Sequence, residues 1–454
     1  MCYLLQRLVL GTERGLSAVE DRKRSLLEKL NKYTNSTEKV GSLTIYKMKM
    51  EDVKLNKKNK VIMMVGETRS GKTTLINAMI NYIFGVDWKD DYRFQLIEES
   101  SKKSQAHSQT SSVTMYQIIH EDGFRIPYSI TIIDTPGFGD TRGIDHDEKI
   151  MQKIRDFFSK CQFTEIDAIC FVVQSFLVGL TPTQVYIYDK ILSIFGNDIK
   201  DNIVFFTTFA DVQEPSVLSA ITEADVPCAK SKDGKPVYFM INNGMLYANN
   251  RPDQVGKRVY KAQEMQWEMG MESIEEFFLQ YLPGLASKDL TLTKEVLAKR
   301  KALEVILDGL GRNIERVTGK QYELEQTERA LNENWEEVKK NENLEYFDIK
   351  KKYEKAVKKV MALEVVVLNL KEDIKKAEDR VMEFTGEIAK ILKRLQEIAL
   401  KPNPMSATDY IKLLIEKEKQ EGKSGYMERI KIMEENLKEF EYFEKILRLA
   451  KCQN

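Results

Sequence analysis

The feature that most constrains the fold is a glycine-rich stretch at residues 66–73, with the sequence Gly-Glu-Thr-Arg-Ser-Gly-Lys-Thr. It follows an apolar run at residues 61–65, which indicates a buried strand, and it precedes a helical pattern at residues 74–80. Strand, glycine-rich turn and helix in this order are typical of a phosphate-binding loop. Gly66 and Gly71 allow successive backbone N–H groups to point inward at the positive end of the helix. The sequence therefore predicts a polyphosphate site.

Two side chains of this loop have specific expected roles. We expect Lys72 to reach the β- and γ-phosphates, and the Thr73 hydroxyl to ligate a bridging Mg²⁺. The whole loop is expected to border the nucleotide, and its members are Gly66, Glu67, Thr68, Arg69, Ser70, Gly71, Lys72, Thr73 and Thr74.

A second motif, Asp134-Thr135-Pro136-Gly137, follows the apolar run at residues 130–133 and lies 62 residues after Lys72. A carboxylate at a strand end can hold a magnesium-bound water, and the N–H of Gly137 can bond the γ-phosphate. We expect both residues in the same nucleotide site as the phosphate loop.

Strand and helix patterns alternate from residue 61 to about residue 285, which predicts an α/β domain with a mostly parallel sheet flanked by helices. We expect this domain to comprise residues 41–285. The predicted helices are residues 72–84, 147–160 and 183–195. The alternating stretch 42–50 predicts a strand beside the phosphate-loop strand. The other predicted strands are 61–65, 115–119, 130–133, 168–173, 203–207 and 237–241.

The C-terminal part, residues 286–454, has a sevenfold apolar repeat that predicts a coiled coil or a helical hairpin. The helices could fold back on one another or pair with a second chain. A third helical stretch begins near Ala407, and residues 1–40 are expected to be an N-terminal helical segment. One seam comprises Leu303, Leu307, Leu310, Ile314, Val317, Leu324, Leu331, Trp335 and Val338, and the other Val360, Leu363, Val367, Leu370, Ile374, Ala377, Val381, Phe384, Ile388, Ile391, Leu395 and Ile398.

Composition narrows the expected partners and location. The 70 basic and 70 acidic residues cancel, so no global field favours nucleic acid. Five scattered cysteines without metal-ligand spacing indicate a reduced, cytoplasmic protein. No signal peptide or lipidation signal is expected, and because no apolar run is long enough to cross a bilayer, membrane association is expected to be peripheral at most.

Residues 66–73 together with residues 134–140 resemble the GTPases of the septin and immunity-associated (GIMAP-type) group, which includes the chloroplast envelope translocon GTPases. Three further segments are similar: residues 112–114 to the first switch, residues 208–211 to the base-reading motif, and residues 241–243 to the last nucleotide contact. The resemblance covers roughly residues 45 to 285. It implies binding and hydrolysis of GTP with Mg²⁺, and a homodimer or higher homo-oligomer formed through the nucleotide-binding domain, with the helices as a possible further contact.

The same resemblance assigns roles to single residues. Asp211 is the candidate reader of guanine, because a carboxylate can accept hydrogen bonds from the ring N1–H and the exocyclic amine together. Thr208, Asn242 and Asn243 are expected to contact the nucleotide. The usual Lys of the base-reading motif is Phe209 here, so stacking on the base would be apolar. Thr114, with Thr110 as the alternative, would place its hydroxyl on Mg²⁺; the predicted metal ligands are therefore Thr73, Thr114 and Asp134.

The route to hydrolysis is the open question. Phe138 stands where small Ras-like GTPases carry a water-positioning Gln, and a phenyl ring cannot orient water. Arg69 occupies the slot of an internal arginine finger in guanylate-binding proteins, so the candidate catalytic residues are Arg69, Lys72 and Thr114. The alternatives for Arg69 are a solvent-facing side chain with no catalytic role and a side chain that only contacts a partner. The alternatives for the whole chain are a slow or non-hydrolysing GTP-gated scaffold and, with less support, an ATPase with a coiled-coil arm.

Overall fold

The computed structural model describes residues 33–48 except 41, residues 59–98, 112–139, 144–160, 164–341 and 347–403, and scattered positions within 23–30 and 409–434. The chain forms two compact units. The described residues of Met1–Val296 and Ile398–Ser406 make up the first unit, and those of Leu297–Glu397 and Ala407–Asn454 make up the second.

Among its described residues, the first unit combines three sheets with helices. Its strands are β1 (Thr34–Val40), β2 (Leu43–Met48), β3 (Asn59–Gly66), β4 (Tyr92–Gln95), β5 (Thr114–Ile118), β6 (Ser129–Asp134), β7 (Glu165–Ile166), β8 (Ala168–Gln174), β9 (Ile203–Thr208), β10 (Tyr238–Met240) and β11 (Lys288–Asp289). Its helices are α1 (Lys72–Ile83), α2 (Ile144–Lys160), α3 (Pro182–Leu192), α4 (Val217–Glu223), α5 (Pro252–Val255) and α6 (Lys257–Glu275), and a π-helical turn follows at Glu276–Tyr281.

Among the described residues, the central sheet has six strands in the spatial order β10-β9-β8-β3-β6-β5. Every neighbouring pair is parallel except β5 and β6, which are antiparallel. Strands β6 and β9 are buried along their whole length, as expected for a sheet that is covered on both faces. The predicted α/β class with a mostly parallel sheet is confirmed.

The predicted strands agree with the structure within one or two residues, but one pairing is wrong. The stretch 42–50 forms β2, yet β2 does not pair with the phosphate-loop strand β3. It lies between β1 and β4 in a separate three-stranded sheet. The predicted helical segment 1–40 is also wrong at its end, because Thr34–Val40 form β1. An alternating pattern predicts a strand but does not specify its partner.

Helix α1 links this smaller sheet to the phosphate loop. The buried Asn81 side chain donates to Phe94 O at 2.7 Å and accepts from Phe94 N at 2.9 Å. The Asn77 side chain bonds the backbone of Leu96 and Ile97 in the same way. Since a buried backbone group needs a partner, these two amides hold β4 and the residues after it against the helix that begins at Lys72.

The second unit contains most of two long helices, α7 (Thr291–Asn341) and α8 (Phe347–Ile398). Leu310 packs against Ile388 in one apolar cluster, while Val338 packs against Ala356 and Val360 in another. Early residues of α7 thus meet late residues of α8, so the helices are antiparallel and pair within one chain. Lys371 bonds Glu328 across the pair at 2.8 Å.

The predicted seams match this hairpin with one exception. The second seam is buried or half-buried throughout. On the first seam, Trp335 is 41% exposed, so its assignment to the packed face is wrong. The side chain of Ile314 and most of the predicted third helical stretch lie outside the described residues.

Two of the five cysteines, Cys170 and Cys228, are buried free thiols. Burial raises the pKa of both thiols, in Cys228 to about 11. The other three cysteines lie outside the described residues. Among the helices that the structure describes, none is long and apolar enough to cross a membrane.

Candidate functional site

The loop from Gly66 to Gly71 depends on unusual backbone conformations. Gly66 has a φ of 148°, and a Cβ there would lie 2.4 Å from Val172 O. Gly71, at the N-terminus of α1, has a φ of 89°. Arg69 also lies in the left-handed region, with a φ of 66°, which costs a non-glycine residue free energy. Because of these positive φ values, the backbone of residues 66–71 forms a tight turn at the N-terminus of α1.

Lys72 lies buried within this loop. Its Nζ donates to Gly66 O at 3.1 Å and to Glu67 O at 2.8 Å. Burial lowers the pKa of Lys72 to about 8, while the charges of Asp134 and Glu67 oppose the shift. Burial raises the pKa of Glu67, and a hydrogen bond from Gln184 opposes that shift. Two backbone carbonyls thus hold the Lys72 ammonium group in place, near the buried carboxylate of Asp134.

Asp134 is fully buried at the end of β6, next to the phosphate-loop strand in the register Met64↔Asp134. On its other side, Thr114 of β5 lies directly opposite Asp134. Directly opposed residues of an antiparallel pair point to the same face, with Cβ atoms about 5 Å apart. The structure thus brings Thr114 to Asp134. The alternative, Thr110, lies outside the described residues.

The segment after Asp134 closes onto the phosphate loop. The Thr68 hydroxyl donates to Gly137 O at 2.9 Å, and Thr68 N donates to Phe138 O at 2.7 Å. A Cβ at position 137 would lie 2.6 Å from Thr68 Cα, so only glycine fits. Phe138 is fully buried, and Gly139 N donates to the buried carboxylate of Asp147 at 3.0 Å. Phe138 is therefore a packing residue that cannot face a nucleotide.

The predicted base-reading segment lies beside the phosphate loop. The Thr208 hydroxyl donates to Ser70 O at 2.7 Å, and Thr208 is buried. We therefore expect Thr208 to position the loop rather than to contact a nucleotide. Asp211 is exposed, and its Oδ1 accepts from Gln213 N at 2.8 Å.

The last predicted contact joins the same edge of the sheet. Asn242 Nδ2 donates to Ala210 O at 3.1 Å, and Asn242 Oδ1 accepts from Gly244 N at 3.1 Å. Asn242 thereby ties the loop after β10 to the loop that carries Asp211. Asn243 is half-buried, and among the described residues its Nδ2 has no hydrogen-bond partner.

The remaining loop residues differ in exposure. Arg69 is exposed at the tip of the loop, and its carbonyl accepts from Gln174 Nε2 at 3.2 Å. Glu67, Thr68, Thr73 and Thr74 are half-buried. Ser70 is buried, and its Oγ has no hydrogen-bond partner among the described residues.

Two supporting residues were missed by the sequence analysis. Gln184, in the capping box at the start of α3, donates to Glu67 Oε2 at 3.4 Å. Asp147 of α2 holds Gly139 N, as described above. The motif Thr181-Pro182-Thr183-Gln184 was a readable helix-start signal, but only the fold shows that this helix begins beside the phosphate loop.

These residues fit a polyphosphate and Mg²⁺. The glycine cradle leaves no room for a Cβ at Gly66, the loop contains a buried cation, and Ser70 Oγ is a buried polar atom available to a ligand. Two threonine hydroxyls and one carboxylate are the hard oxygen ligands that Mg²⁺ prefers, since it usually keeps water and phosphate oxygens as its other ligands.

A parallel sheet with a glycine-rich loop between β3 and α1, and a buried aspartate at the end of the adjacent β6, defines the P-loop GTPase class of fold. Residues 57–166 match the family model of the septins. The first unit thus contains a septin-like P-loop GTPase domain. The resemblance to the immunity-associated group remains a prediction.

Solved structures show more distant likenesses. A chain from the chloroplast translocon components atToc33 and psToc159 is 18% identical, with 41% of this chain and 70% of that chain covered and a TM-score of 0.31. Toc33 from Arabidopsis thaliana in complex with GDP and Mg²⁺ is 14% identical, with 47% and 85% covered and a TM-score of 0.30. A probable GTP-binding protein, engB, is 16% identical, with 45% and 99% covered and a TM-score of 0.24. TM-scores this low do not establish a shared fold. No curated protein sequence matches this chain.

Proposed function

We propose that this protein binds guanine nucleotide with Mg²⁺ and hydrolyses GTP to GDP. The observation that carries the proposal is the register of β5, β6 and β3, which lines up Thr114, Asp134 and the phosphate-loop strand. Lys72, whose pKa reflects both its burial and the nearby charge of Asp134, lies at the same edge. The proximity of the Lys72 cation, the Asp134 carboxylate and the Thr114 hydroxyl supports the proposal of a triphosphate site.

Each residue then has a defined task. The backbone N–H groups of the loop and Lys72 bind the β- and γ-phosphates. Thr73, Thr114 and Asp134 would hold Mg²⁺, and the ion would neutralise negative charge on the phosphate oxygens. Asp211 accepts from the guanine N1–H and amine, while Asn242 fixes the loop that carries Asp211. Gly137, whose carbonyl accepts from the Thr68 hydroxyl, would bond a γ-phosphate through its N–H.

Catalysis requires a group that stabilises the transition state, and the buried Phe138 cannot supply it. Arg69 is the candidate, because it is exposed at the loop tip. We infer that two domains meet across their nucleotide sites and that dimerisation directs Arg69 toward phosphate. The helical region would then report the nucleotide state to an assembly. The competing function is a GTP-gated scaffold with little or no turnover, which the buried Phe138 favours.

Phosphate release measured against protein concentration separates the two functions. For the dimer-activated enzyme, we expect specific activity to rise with concentration and to fall about 10³-fold in Arg69→Ala, the usual magnitude for an arginine finger. Arg312→Ala, an exposed arginine on α7, serves as the matched control and is expected to leave activity unchanged. Tight GTP binding with flat, near-zero turnover would instead establish the scaffold.

A further inference from the structure

Four exposed apolar side chains gather on two loops at the edge of the sheet that carries the site. Phe176 and Val178 follow β8, and Phe209 and Val212 follow β9. Their exposed fractions are 60%, 84%, 53% and 74%. The rings of Phe176 and Phe209 are neighbours, with centroids 6.4 Å apart and planes inclined at 54°. Apolar surface presented in this way usually serves binding.

The backbone at Phe209 is in a conformation of unfavourable free energy. Phe209 has a φ of 54°, in the left-handed region that a bulky residue rarely adopts. Two hydrogen bonds hold it there: Ser175 Oγ donates to Phe209 O at 3.0 Å, and Ala210 N donates to Ile241 O at 3.1 Å. Ser175 N also donates to Thr208 O at 2.9 Å, which ties the two loops together. The surrounding hydrogen bonds maintain the strained backbone at Phe209, and the Phe209 ring remains exposed to solvent. Strain of this kind, held by neighbouring contacts, indicates a functional role.

Residues close in sequence to the two aromatic residues bond the phosphate loop. Gln174, two residues before Phe176, donates to Arg69 O at 3.2 Å. Thr208, next to Phe209, donates to Ser70 O at 2.7 Å. Asp211 follows Phe209 by two residues. We therefore expect a nucleoside whose phosphates lie on the loop and whose base reaches Asp211 to lie close to these two residues.

We propose that Phe176 and Phe209 together form an aromatic wall that receives the purine ring of the bound nucleotide. This inference rests on the proposed function and extends it to Phe176, on a loop that none of the nucleotide motifs includes. Because the rings are inclined, the base stacks on one face and meets the edge of the other ring, both of which are favourable aromatic geometries. The wall replaces the lysine usual at position 209 in the resembled family.

Calorimetric titration of the full chain with two ligands tests the wall: GDP with Mg²⁺, and inorganic tripolyphosphate with Mg²⁺, which lacks a base. Phe176→Ala and Phe209→Ala are each expected to weaken GDP binding about 5- to 100-fold, the range for loss of one base–aromatic stack. Tripolyphosphate affinity is expected to stay within about twofold, because its contacts are to the phosphate loop. Phe176→Tyr keeps the ring and is expected to bind GDP like the wild type. Tyr322→Ala, a similarly exposed aromatic at 66%, is the control.

Three results would overturn the wall while leaving the proposed function intact. In the first, the affinity for GDP is unchanged in both alanine variants. In the second, the affinities for GDP and for tripolyphosphate fall equally, which would show that the loops have only a structural role. Self-association in sedimentation could also fall in Phe176→Ala with GDP affinity retained, so that the patch belongs to a contact with a second copy of the chain. Wild-type protein that binds neither GDP nor tripolyphosphate would instead overturn the proposed function, and the wall with it.

Discussion

At the scale of single residues, some side chains of the candidate site hydrogen-bond neighbouring loops, whereas others are exposed and available to a ligand. Thr208 and Asn242 match nucleotide-binding motifs, yet the side chains of both donate hydrogen bonds to backbone carbonyls of nearby loops. Asp211 is different, because its carboxylate is exposed at the edge of the site. Under the proposed function, base selection would therefore depend on the Asp211 side chain, whose carboxylate accepts from Gln213 N.

Asp211→Ala is expected to weaken GDP binding about 10- to 1000-fold, because a site built to hydrogen-bond two donors of the ligand loses both bonds. The affinity for tripolyphosphate should not change, and calorimetry with both ligands measures the difference. The control is Glu214→Ala, an exposed carboxylate three residues away that pairs with Lys235 at 2.7 Å. An equal loss in the control variant would show that general charge, rather than base reading, is responsible.

At the scale of elements, the sequence predicted those with a strong pattern and missed those that depend on tertiary partners. Strand β4 was not predicted, and Arg93 at its centre would normally be assigned to the surface. Arg93 is fully buried, donates to Leu246 O at 3.1 Å and to Trp88 O at 3.1 Å, and lies 4.4 Å from the centre of the Trp267 ring. Trp88 is close in sequence, but Leu246 and Trp267 lie far along the chain, so a local pattern could not have revealed that Arg93 is buried.

Arg93→Met is expected to lower the free energy of unfolding by about 3–5 kcal/mol, because buried carbonyls lose a charged donor. Burial lowers the pKa of Arg93 only to about 10, so the wild-type side chain stays protonated at neutral pH. Urea unfolding followed by tryptophan fluorescence reports the loss, since Arg93 lies over Trp267. Arg312→Met, on a surface of α7, should change the midpoint little.

The helical hairpin gives a second element-scale test. Ile388 is fully buried against Leu310, whereas Met382 on the same helix is 68% exposed. Ile388→Ala should lower the free energy of unfolding of the hairpin by about 2–4 kcal/mol through lost burial and a residual cavity. Met382→Ala should cost less than about 1 kcal/mol. Thermal unfolding followed by helical circular dichroism compares the two, and equal losses would contradict the packing described here.

At the scale of the whole molecule, the sequence predicted the α/β domain and the helical C-terminal region. It did not predict which helices pair or which residues of neighbouring strands lie opposite each other. Heptad spacing left open whether the helices pair within one chain or between two, because an apolar stripe does not identify its partner. The structure shows pairing of α7 with α8. Likewise, the phosphate loop was readable as a local motif. The approach of Thr114 to Asp134 depends on the register of β5 and β6, which only the assembled sheet defines.

The proposed function requires a guanine nucleotide site in which Lys72 binds phosphate and Asp211 recognises the base. Calorimetric titration of the full chain with GDP and with ADP, both with Mg²⁺, tests it most directly. We expect GDP to bind at least about 100-fold more tightly than ADP, because adenine offers Asp211 no matching pair of donors. In Lys72→Ala, we expect GDP binding to be lost. Equal affinity for the two nucleotides, or GDP binding that survives Lys72→Ala, would contradict the account.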